Sequence, residues 1–554
     1  MPRKIVIVGG VAGGASAAAK ARRQDENADI VMFEKGPYIS FANCGLPYFI
    51  SGDIKEREKL FVQTVDGFKK RFNVEPKVTC EVVSIDRANK EVAVRDLING
   101  KVFKERYDKL ILATGATPIV PPIPSIDAKN VFKLQNISDM DEIVEYLNAR
   151  SPKSVLIIGG GGVGLELVEA FAKRGLKVTI AELLNQVVPS MDIDMASFIT
   201  EHLKEKGISV HLKDGVKALH GEEFVQEIEL NSGTRIPTDM VIVSIGVRPN
   251  IYLARDAGLH IGKTGAVWVN ERQETSDPNI YAVGDMTEST HIVTKKRAWI
   301  PLATSATKQG RVAGANAAGG NKVFKGVLGT SIVRVMNITA ARTGLSEKEA
   351  KALGTDYYVS YSNSPSHANY YPDASALFIK LVVERGNGRL LGAQVVGEEG
   401  VDKRIDVFAS ALYSGLTVMD LEDLDLAYSP PYSSARDPVV IAGMAASNIL
   451  REETESVTPN EVRERIASGN SGLQFLDVRT GEEVDEGYIS DMKHIPLDDL
   501  RGRMDELDRI REIIVYCKSG LRSYLATRIL SQRGFRDVKN MSGGYIIWTH
   551  QGEE

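Results

Sequence analysis

A short β-branched strand that runs into a glycine cluster and then into a helix of small residues occurs twice in this 554-residue chain. The first copy is KIVIVGGVAGGASAAAKARR from Lys4, and the second is SVLIIGGGGVGLELVEAFAKRG from Ser154. Gly9, Gly10, Ala12, Gly13 and Gly14 form the first cluster; Gly159, Gly161 and Gly164 mark the second. After each helix comes another strand that ends on an acid, Glu34 (followed by Lys35) in IVMFEK and Glu182 in VTIAE. Strand, glycine turn, helix, strand and acid in this register form a βαβ dinucleotide-binding unit. The glycines allow the tight turn and a close backbone approach, the helix N-terminus faces the pyrophosphate, and the acid takes the ribose hydroxyls. Val11 stands where the second glycine of the pattern belongs, so the first copy departs from the consensus while the second does not.

Two nucleotide units in one chain set the framework, and the bulk properties of the chain bound its chemistry. Hydrophobic residues make up 43% and charged residues 25%, as in an ordinary globular protein. The net charge of -5 supplies no general field for nucleic acid or an anionic membrane, so any anion site must be local. The apolar run Ile5 to Val8 is too short for a signal peptide, no segment has the length of a membrane span, and a cytoplasmic location is expected. The three cysteines, Cys44, Cys80 and Cys517, exclude a disulfide framework, and no two lie close enough in sequence for an internal redox pair. The eight histidines lack ligand spacing, and no metal site is expected.

Further along, YDKLILATGATP ends a strand in the small turn Ala113-Thr114-Gly115, and DPNIYAVGDMTE places Asp285 directly after a strand and a glycine. A carboxylate there can hold ribityl hydroxyls or cap a following helix. From about Gly326 the pattern changes to alternating strands followed by a helix near VDKRIDVFASALYSG. REETESVTPNE reads as a polar linker, and a last unit of βα alternation follows it.

The two fingerprints, the A-T-G turn and Y-A-V-G-D together resemble the pyridine-nucleotide disulfide reductases over residues 1 to about 450. Ser40-Phe41-Ala42-Asn43-Cys44-Gly45-Leu46-Pro47-Tyr48 is similar to the S-F-x-x-C-G-x-P-Y signature of coenzyme A-disulfide reductases and related persulfide reductases and NADH oxidases. The C-terminal unit resembles single-domain rhodaneses, through LDVR around Asp477 and the loop Cys517-Lys518-Ser519-Gly520-Leu521-Arg522-Ser523. The fold class so implied is α/β, with two Rossmann-like FAD and NAD(P) domains, an α+β dimerisation domain and a C-terminal α/β rhodanese domain. Its expected boundaries are 1–150 and 281–325 for the FAD domain, 151–280 for NAD(P), 326–450 for dimerisation, 451–457 for the linker and 458–554 for rhodanese.

The resemblance also implies site residues. FAD is expected against Gly9, Gly10, Ala12, Gly13, Gly14, Glu34, Lys35, Val82, Ala113, Thr114, Gly115, Asp285 and Ala303, and the nicotinamide nucleotide against Gly159, Gly161, Gly164, Glu182 and Gly246. Glu182 is followed by two leucines, with no arginine for a 2′-phosphate, which favours NADH over NADPH. With no second cysteine beside it, Cys44 needs an external sulfur, and the resemblance identifies this as coenzyme A, held as a mixed disulfide or leaving a thiolate by the flavin. A nucleophilic thiol there calls for a lowered pKa, from a helix N-terminus or a nearby cation. Ser16, Lys20, Arg23, Ser40 and Asn43 match positions lining the family's coenzyme A channel, and Arg436 is expected to bind substrate. Tyr370 and Tyr428, from the second subunit of a homodimer, would protonate or stabilise the departing thiolate. Cys80, in an alternating strand, is expected to be structural.

In the rhodanese loop, backbone N–H groups surround the sulfur of Cys517 and stabilise a thiolate or persulfide. Six residues from Cys517 to Arg522 match the length that suits a sulfur atom in that family, with Arg522 tying the loop down, Lys518 raising the local potential and Asp477 and Arg479 bracing it. Tyr488 stands where many rhodaneses have histidine. Three functions are open on these residues: reduction of coenzyme A disulfide coupled to rhodanese sulfur transfer, reduction of coenzyme A persulfide or polysulfide with release of hydrogen sulfide, and sulfur delivery to a partner acceptor. The first two require a coenzyme A substrate, and the rhodanese loop calls for a sulfane-sulfur donor.

Overall fold

A computed structural model describes residues 2–469 and 472–550. The chain packs as two compact units, Met1–Leu183 with Asp214–Gly329, and Leu184–Lys213 with Thr330–Glu554.

The first unit is organised by two parallel sheets. In one, the strand order is Ile280–Ala282, Lys109–Leu112, Lys4–Val8, Asp29–Phe33 and Glu75–Lys77, so the chain returns to its first sheet after the second nucleotide unit. Ile5, Ile7, Ile30, Met32 and Ile111 fill one face of this sheet and Val6, Val8, Val31, Phe33 and Leu110 the other, because successive side chains of a strand alternate and a parallel sheet is covered on both faces. The second sheet contains Lys177–Ala181, Ser154–Ile158, Val241–Val243 and Val131–Phe132 in that order, again parallel. Cys80 begins the strand Cys80–Asp86 and packs, half-buried, against the first core, as its alternating context predicts.

The small residues of the first fingerprint helix, Ala12–Gln24, have a packing purpose of their own. This helix lies against Ala303–Ala317, and a Cβ on Gly310 or Gly314 would fall well inside contact with the backbone carbonyls of Gly13 and Ala17. The two helices therefore meet backbone to backbone.

In the second unit, five antiparallel strands run in the order Ser331–Val335, Ile338–Gly344, Leu390–Gly397, Ala376–Glu384 and Tyr357–Pro365. Residues 184–213, which sequence order groups with 151–280, belong with this sheet by packing. Lys380, buried on the strand Ala376–Glu384, binds Asp194 at 2.7 Å and Asp192 at 3.2 Å, and Gln394 donates to Asp192 at 2.5 Å. Phe198 stacks on Phe378 with ring centroids 4.3 Å apart. A buried ammonium cannot be left without its carboxylates, and this holds the helix Ile193–Glu205 to the sheet.

The last sheet is wholly parallel, in the order Glu455–Val457, Val538–Met541, Glu512–Tyr516, Leu473–Asp477 and Met492–His494. Residues 455–457, expected as linker, are thus an edge strand. Only Val457 is apolar and buried, while Glu455 and Ser456 keep their polar character on the edge, and so the segment carries no strand pattern in its composition. Thr458 then opens the helix Pro459–Ala467 with a reciprocal cap from Glu461. Among the described residues no helix is long and apolar enough to cross a membrane.

The backbone contact in the first unit is directly testable. Gly314→Val should lower stability by about 1–3 kcal/mol, since a branched side chain must force the two helices apart. Thermal unfolding of variant and parent measures this.

Candidate active sites

The two fingerprints fold to the same local geometry. Gly9 and Gly159 have φ of +102° and +104°, and a side chain on either would strike the carbonyl of Ala113 or Ser244 on the neighbouring turn. Glycine is required twice over, by conformation and by space. A Cβ on Gly14 would strike the Gly9 carbonyl, and one on Gly164 the Gly159 carbonyl. Gly161 differs, since a Cβ there would meet none of the described residues within 4 Å, leaving its backbone open to a ligand. Val11, the departure from the pattern, precedes Ala12 with φ of -92°, outside the left-handed region that favours glycine. The acids match as well: Gly10 N–H donates to Glu34 at 2.7 Å and Gly160 N–H to Glu182 at 2.7 Å.

Around the first fingerprint, Glu34 also accepts from Gly36 N–H at 2.8 Å, and burial raises its pKa against these bonds. Thr114 is fixed by donating to the Asn250 carbonyl at 2.9 Å, and Gly115 and Gly246 both take positive φ. Lys35 pairs with Glu81 at 2.8 Å. The side chain of Val82 is buried in the core, so only its backbone is available to a ligand. Asp285 lies in the turn Gly284–Met286, half-buried, with burial alone raising its pKa. Ala303 opens its helix on the surface. A half-buried carboxylate with no cation among the described residues lowering its pKa, beside a small-residue turn and a glycine-opened helix, suits a hydroxyl-rich chain that donates hydrogen bonds, as the ribityl part of FAD does.

Cys44 lies in the single turn Asn43–Gly45 just before the short helix Leu46–Ser51. Its loop is tied to the first fingerprint, because Ser40, in the left-handed region at φ +46°, donates its N–H to the Gly10 carbonyl at 2.9 Å. Asn43 donates its amide to the Gln135 carbonyl at 2.9 Å. Cys44 is exposed, yet the surrounding protein partly desolvates it, and the carboxylates of Glu166 and Asp285 add repulsion, so its pKa is raised. The lowered pKa expected from the motif is not what these residues produce: the helix that follows has six residues, and the charges that act on the sulfur are negative.

Glu166 itself was not anticipated. It lies in the second fingerprint helix, Gly162–Lys173, where burial pushes its pKa up to about 7 and the Tyr48 hydroxyl donates to it at 3.4 Å. Its only sequence signal is an acid among apolar residues two positions after the last glycine.

Lys20 and Arg23 follow Ser16 along the first helix at spacings that share one face. Burial lowers the pKa of Lys20, and Lys322, Arg23 and Arg311 lower it further by repulsion. Arg311 and Lys322 were not foreseen, being nearly 300 residues away in sequence. Arg22, in contrast, is buried and spends its guanidinium on the carbonyls of Phe72, Glu26 and Asn73, a structural role. In the second unit, the hydroxyls of Tyr370 and Tyr428 meet at 2.8 Å although the residues are 76% and 49% exposed. Arg436 is exposed one residue before the Asp437 cap of the helix Pro438–Leu450.

Cys517 directly follows the strand Glu512–Tyr516 and is only 1% exposed. Its sulfur accepts from Gly520 N–H at 3.1 Å and from the Ser523 hydroxyl at 3.4 Å. Tyr545 and Ile546, at the start of Gly544–Thr549, donate their N–H groups to the carbonyls of Cys517 and Lys518 at 2.8 and 3.0 Å. Arg522 makes a two-pronged ion pair with Glu483 at 2.7 and 2.8 Å, and this holds the Glu483 pKa at about 2. Arg479 grips Asp477 at 2.6 Å and donates to the carbonyls of Glu483 and Gly487 at 2.7 Å each, so the brace and the loop share the segment around Glu483. Lys518 and Tyr488 are exposed.

Residues 3–310 match the pyridine nucleotide-disulphide oxidoreductase model, residues 330–439 its dimerisation domain and residues 458–551 the rhodanese-like domain. The chain belongs to the pyridine nucleotide-disulphide oxidoreductase family. It is an FAD- and NAD(P)H-binding α/β enzyme of this family, with a rhodanese-like domain at its C-terminal end. Among curated relatives of this oxidoreductase, a protein from Pyrococcus horikoshii named NAD(P)H coenzyme A polysulfide/persulfide reductase is 37% identical over 80% of this chain and 98% of its own length. A coenzyme A disulfide reductase from Staphylococcus aureus is 36% identical over 80% and 99%. Two solved structures extend through the last domain. The reduced CoADR-RHD of Bacillus anthracis is 45% identical over 100% of this chain and 98% of its own, with a TM-score of 0.96. A NAD-dependent persulfide reductase from A. fulgidus is 39% identical over 98% and 100%, with a TM-score of 0.92.

The raised Glu166 pKa carries a stability prediction. A buried carboxyl whose folded pKa lies above its unfolded value holds its full relative stability below the ordinary carboxylate range and loses it as pH rises through about 7. Glu166→Gln should therefore be more stable than the parent above neutrality, by up to about 3 kcal/mol, with the gap closing as pH falls. Denaturant unfolding across the pH range checks both sign and window.

Proposed function

We propose that this enzyme uses NADH to reduce coenzyme A-bound sulfur through Cys44 and that Cys517 carries sulfane sulfur to that reaction. The carrying observation is the set of cations around Lys20, where Lys322, Arg23 and Arg311 act on it by repulsion, a setting that suits a polyanion. Lys20 and Arg23 lie on the helix that begins at Ala12, and the Cys44 loop is hydrogen-bonded to Gly10 just ahead of that helix. Coenzyme A is such a polyanion, with phosphates at one end and a thiol at the other. Ser16, Lys20 and Arg23 with Ser40 and Asn43 would line its path. The names of the relatives support the same substrate class.

Glu34, the Ala113–Gly115 turn and Asp285 would hold FAD, which when bound would supply two-electron exchange between nicotinamide and sulfur. Cys44 holds coenzyme A as a mixed disulfide. The negative surroundings of Cys44 favour this uncharged form over a thiolate. Two electrons break the disulfide, leaving Cys44 as thiolate and coenzyme A as a thiolate that needs one proton. The Tyr370 and Tyr428 hydroxyls, from the second subunit of a homodimer, would supply it, and Arg436 would bind substrate. With coenzyme A persulfide, one NADH and one proton yield coenzyme A, hydrogen sulfide and NAD+. Cys517 would take sulfur from a sulfane donor and pass it on as a persulfide. The rhodanese-like domain favours the persulfide or polysulfide reaction, because reduction of coenzyme A disulfide has no use for a sulfur carrier.

Anaerobic NADH oxidation with coenzyme A disulfide and with coenzyme A persulfide, with sulfide measured, tests this reading. Cys44→Ser should abolish both reactions, and Cys517→Ser should spare coenzyme A disulfide turnover while impairing sulfur transfer from a donor. Loss of both reactions on changing Cys517 would defeat the separation of roles.

Glu182, buried and bonded to Gly160, offers a carboxylate where NADPH carries its extra phosphate. kcat/KM should therefore be at least about tenfold higher with NADH than with NADPH, and the reverse order would overturn this choice.

A further inference from the structure

The Ser523 hydroxyl has one hydrogen and two acceptors. It lies 3.4 Å from the Cys517 sulfur and 2.9 Å from the Gly520 carbonyl, and the residue is fully buried, so no solvent competes for the bond. Ser523 belongs to the first turn of the helix Leu521–Gln532, whose rigid start fixes the hydroxyl between the two acceptors. The nearby cations are already engaged: Arg522 is bound to Glu483 and Arg479 to Asp477. Lys518 is exposed, and the Tyr516 hydroxyl at the strand end accepts from the Ile489 N–H at 3.3 Å. Apart from the Gly520 amide, the Ser523 hydroxyl is the donor seen at the sulfur.

We propose that Ser523 is a further catalytic residue for sulfur transfer at Cys517: its hydroxyl turns from the Gly520 carbonyl to the sulfur and stabilises the thiolate that departs when the carried sulfur is handed on. This rests on the reading of Cys517 as a sulfur carrier. In the transfer step an acceptor thiolate attacks the outer sulfur of the Cys517 persulfide. A bond forms between acceptor and outer sulfur, the bond from outer sulfur to Cys517 breaks, and its electron pair stays on Cys517. The proton remains on the transferred sulfur, so charge and electrons balance without another reactant. Cys517 is the leaving group here, and a hydrogen bond that stabilises its anion speeds departure. In the loading step the same sulfur is the nucleophile. There the bond stabilises the thiolate but weakens its attack, and the two effects nearly cancel near neutral pH. Discharge and loading thus respond differently to Ser523, which a merely structural residue would not produce.

Ser523→Ala keeps the backbone and Cβ and suits the first turn of a helix. In the holoenzyme, the pH midpoint for iodoacetamide alkylation of Cys517, resolved by peptide mass spectrometry, should rise by about one unit. Transfer of sulfur from the loaded enzyme to coenzyme A should slow roughly three- to tenfold, while loading from inorganic polysulfide near neutral pH stays within about twofold. Ser523→Thr, which keeps the hydroxyl, should restore the midpoint and the discharge rate. An unchanged midpoint in the alanine variant, a threonine variant as impaired as alanine, or an equal fall in loading and discharge would overturn the proposal. Failure of the parent enzyme to gain one sulfur mass at Cys517 on exposure to polysulfide would instead overturn the carrier reading, and the alkylation midpoints would still decide whether Ser523 bonds the sulfur.

Discussion

Backbone touches backbone at the points on which the first unit depends. Gly14 closes on the Gly9 carbonyl, Gly9 on Ala113, and Gly310 and Gly314 on the carbonyls of Gly13 and Ala17. These contacts bring together the fingerprint turn, the Ala113–Gly115 turn and the helix Ala303–Ala317, segments far apart in sequence. A side chain at any of them would separate elements whose joint edge forms the proposed nucleotide site. The same constraint positions Cys44, because Ser40 hangs the cysteine loop on the carbonyl of Gly10. Packing and chemistry therefore share one set of glycines, and the site cannot be loosened without loosening the core.

The two cysteines proposed as reactive occupy opposite environments. Cys44 is exposed, with partial desolvation and the carboxylates of Glu166 and Asp285 raising its pKa, so an uncharged sulfur is favoured there. Cys517 is buried among donors, with the Gly520 amide and the Ser523 hydroxyl directed at the sulfur. A sulfur that must be held in a disulfide and a sulfur that must leave as an anion call for these different surroundings.

Local pattern made the fingerprints, the Cys44 signature and the Cys517 loop legible in the sequence, since each is a contiguous run whose geometry is fixed by its own residues. The Asp477 and Arg479 brace was legible for the same reason. What sequence could not supply was anything assembled from distant segments. Arg311 and Lys322 act on Lys20 only because the helix Ala303–Ala317 packs on the first helix. Glu166 acts on Cys44 because two helices meet, and its sign reversed the expectation of an acidified thiol. The strand Glu455–Val457 was hidden because an edge strand needs only one buried side chain, here Val457. Residues 184–213 follow the second fingerprint in sequence, yet buried Lys380 and its carboxylates draw them to another sheet.

Charge is segregated in the first unit in a way the net value of -5 conceals. Cations gather along the helix Ala12–Gln24, and carboxylates gather by Cys44. On the proposed reading, coenzyme A would meet the first through its phosphates and the second through its sulfur. Attraction at the remote end then offsets the cost of bringing an anion's sulfur towards negative groups, and the binding energy is placed away from the bond that breaks. A thiolate product, in contrast to the disulfide, is repelled by Glu166 and Asp285. The field at Cys44 therefore disfavours the departing thiolate until it takes a proton, which makes proton supply the step on which turnover at this cysteine depends.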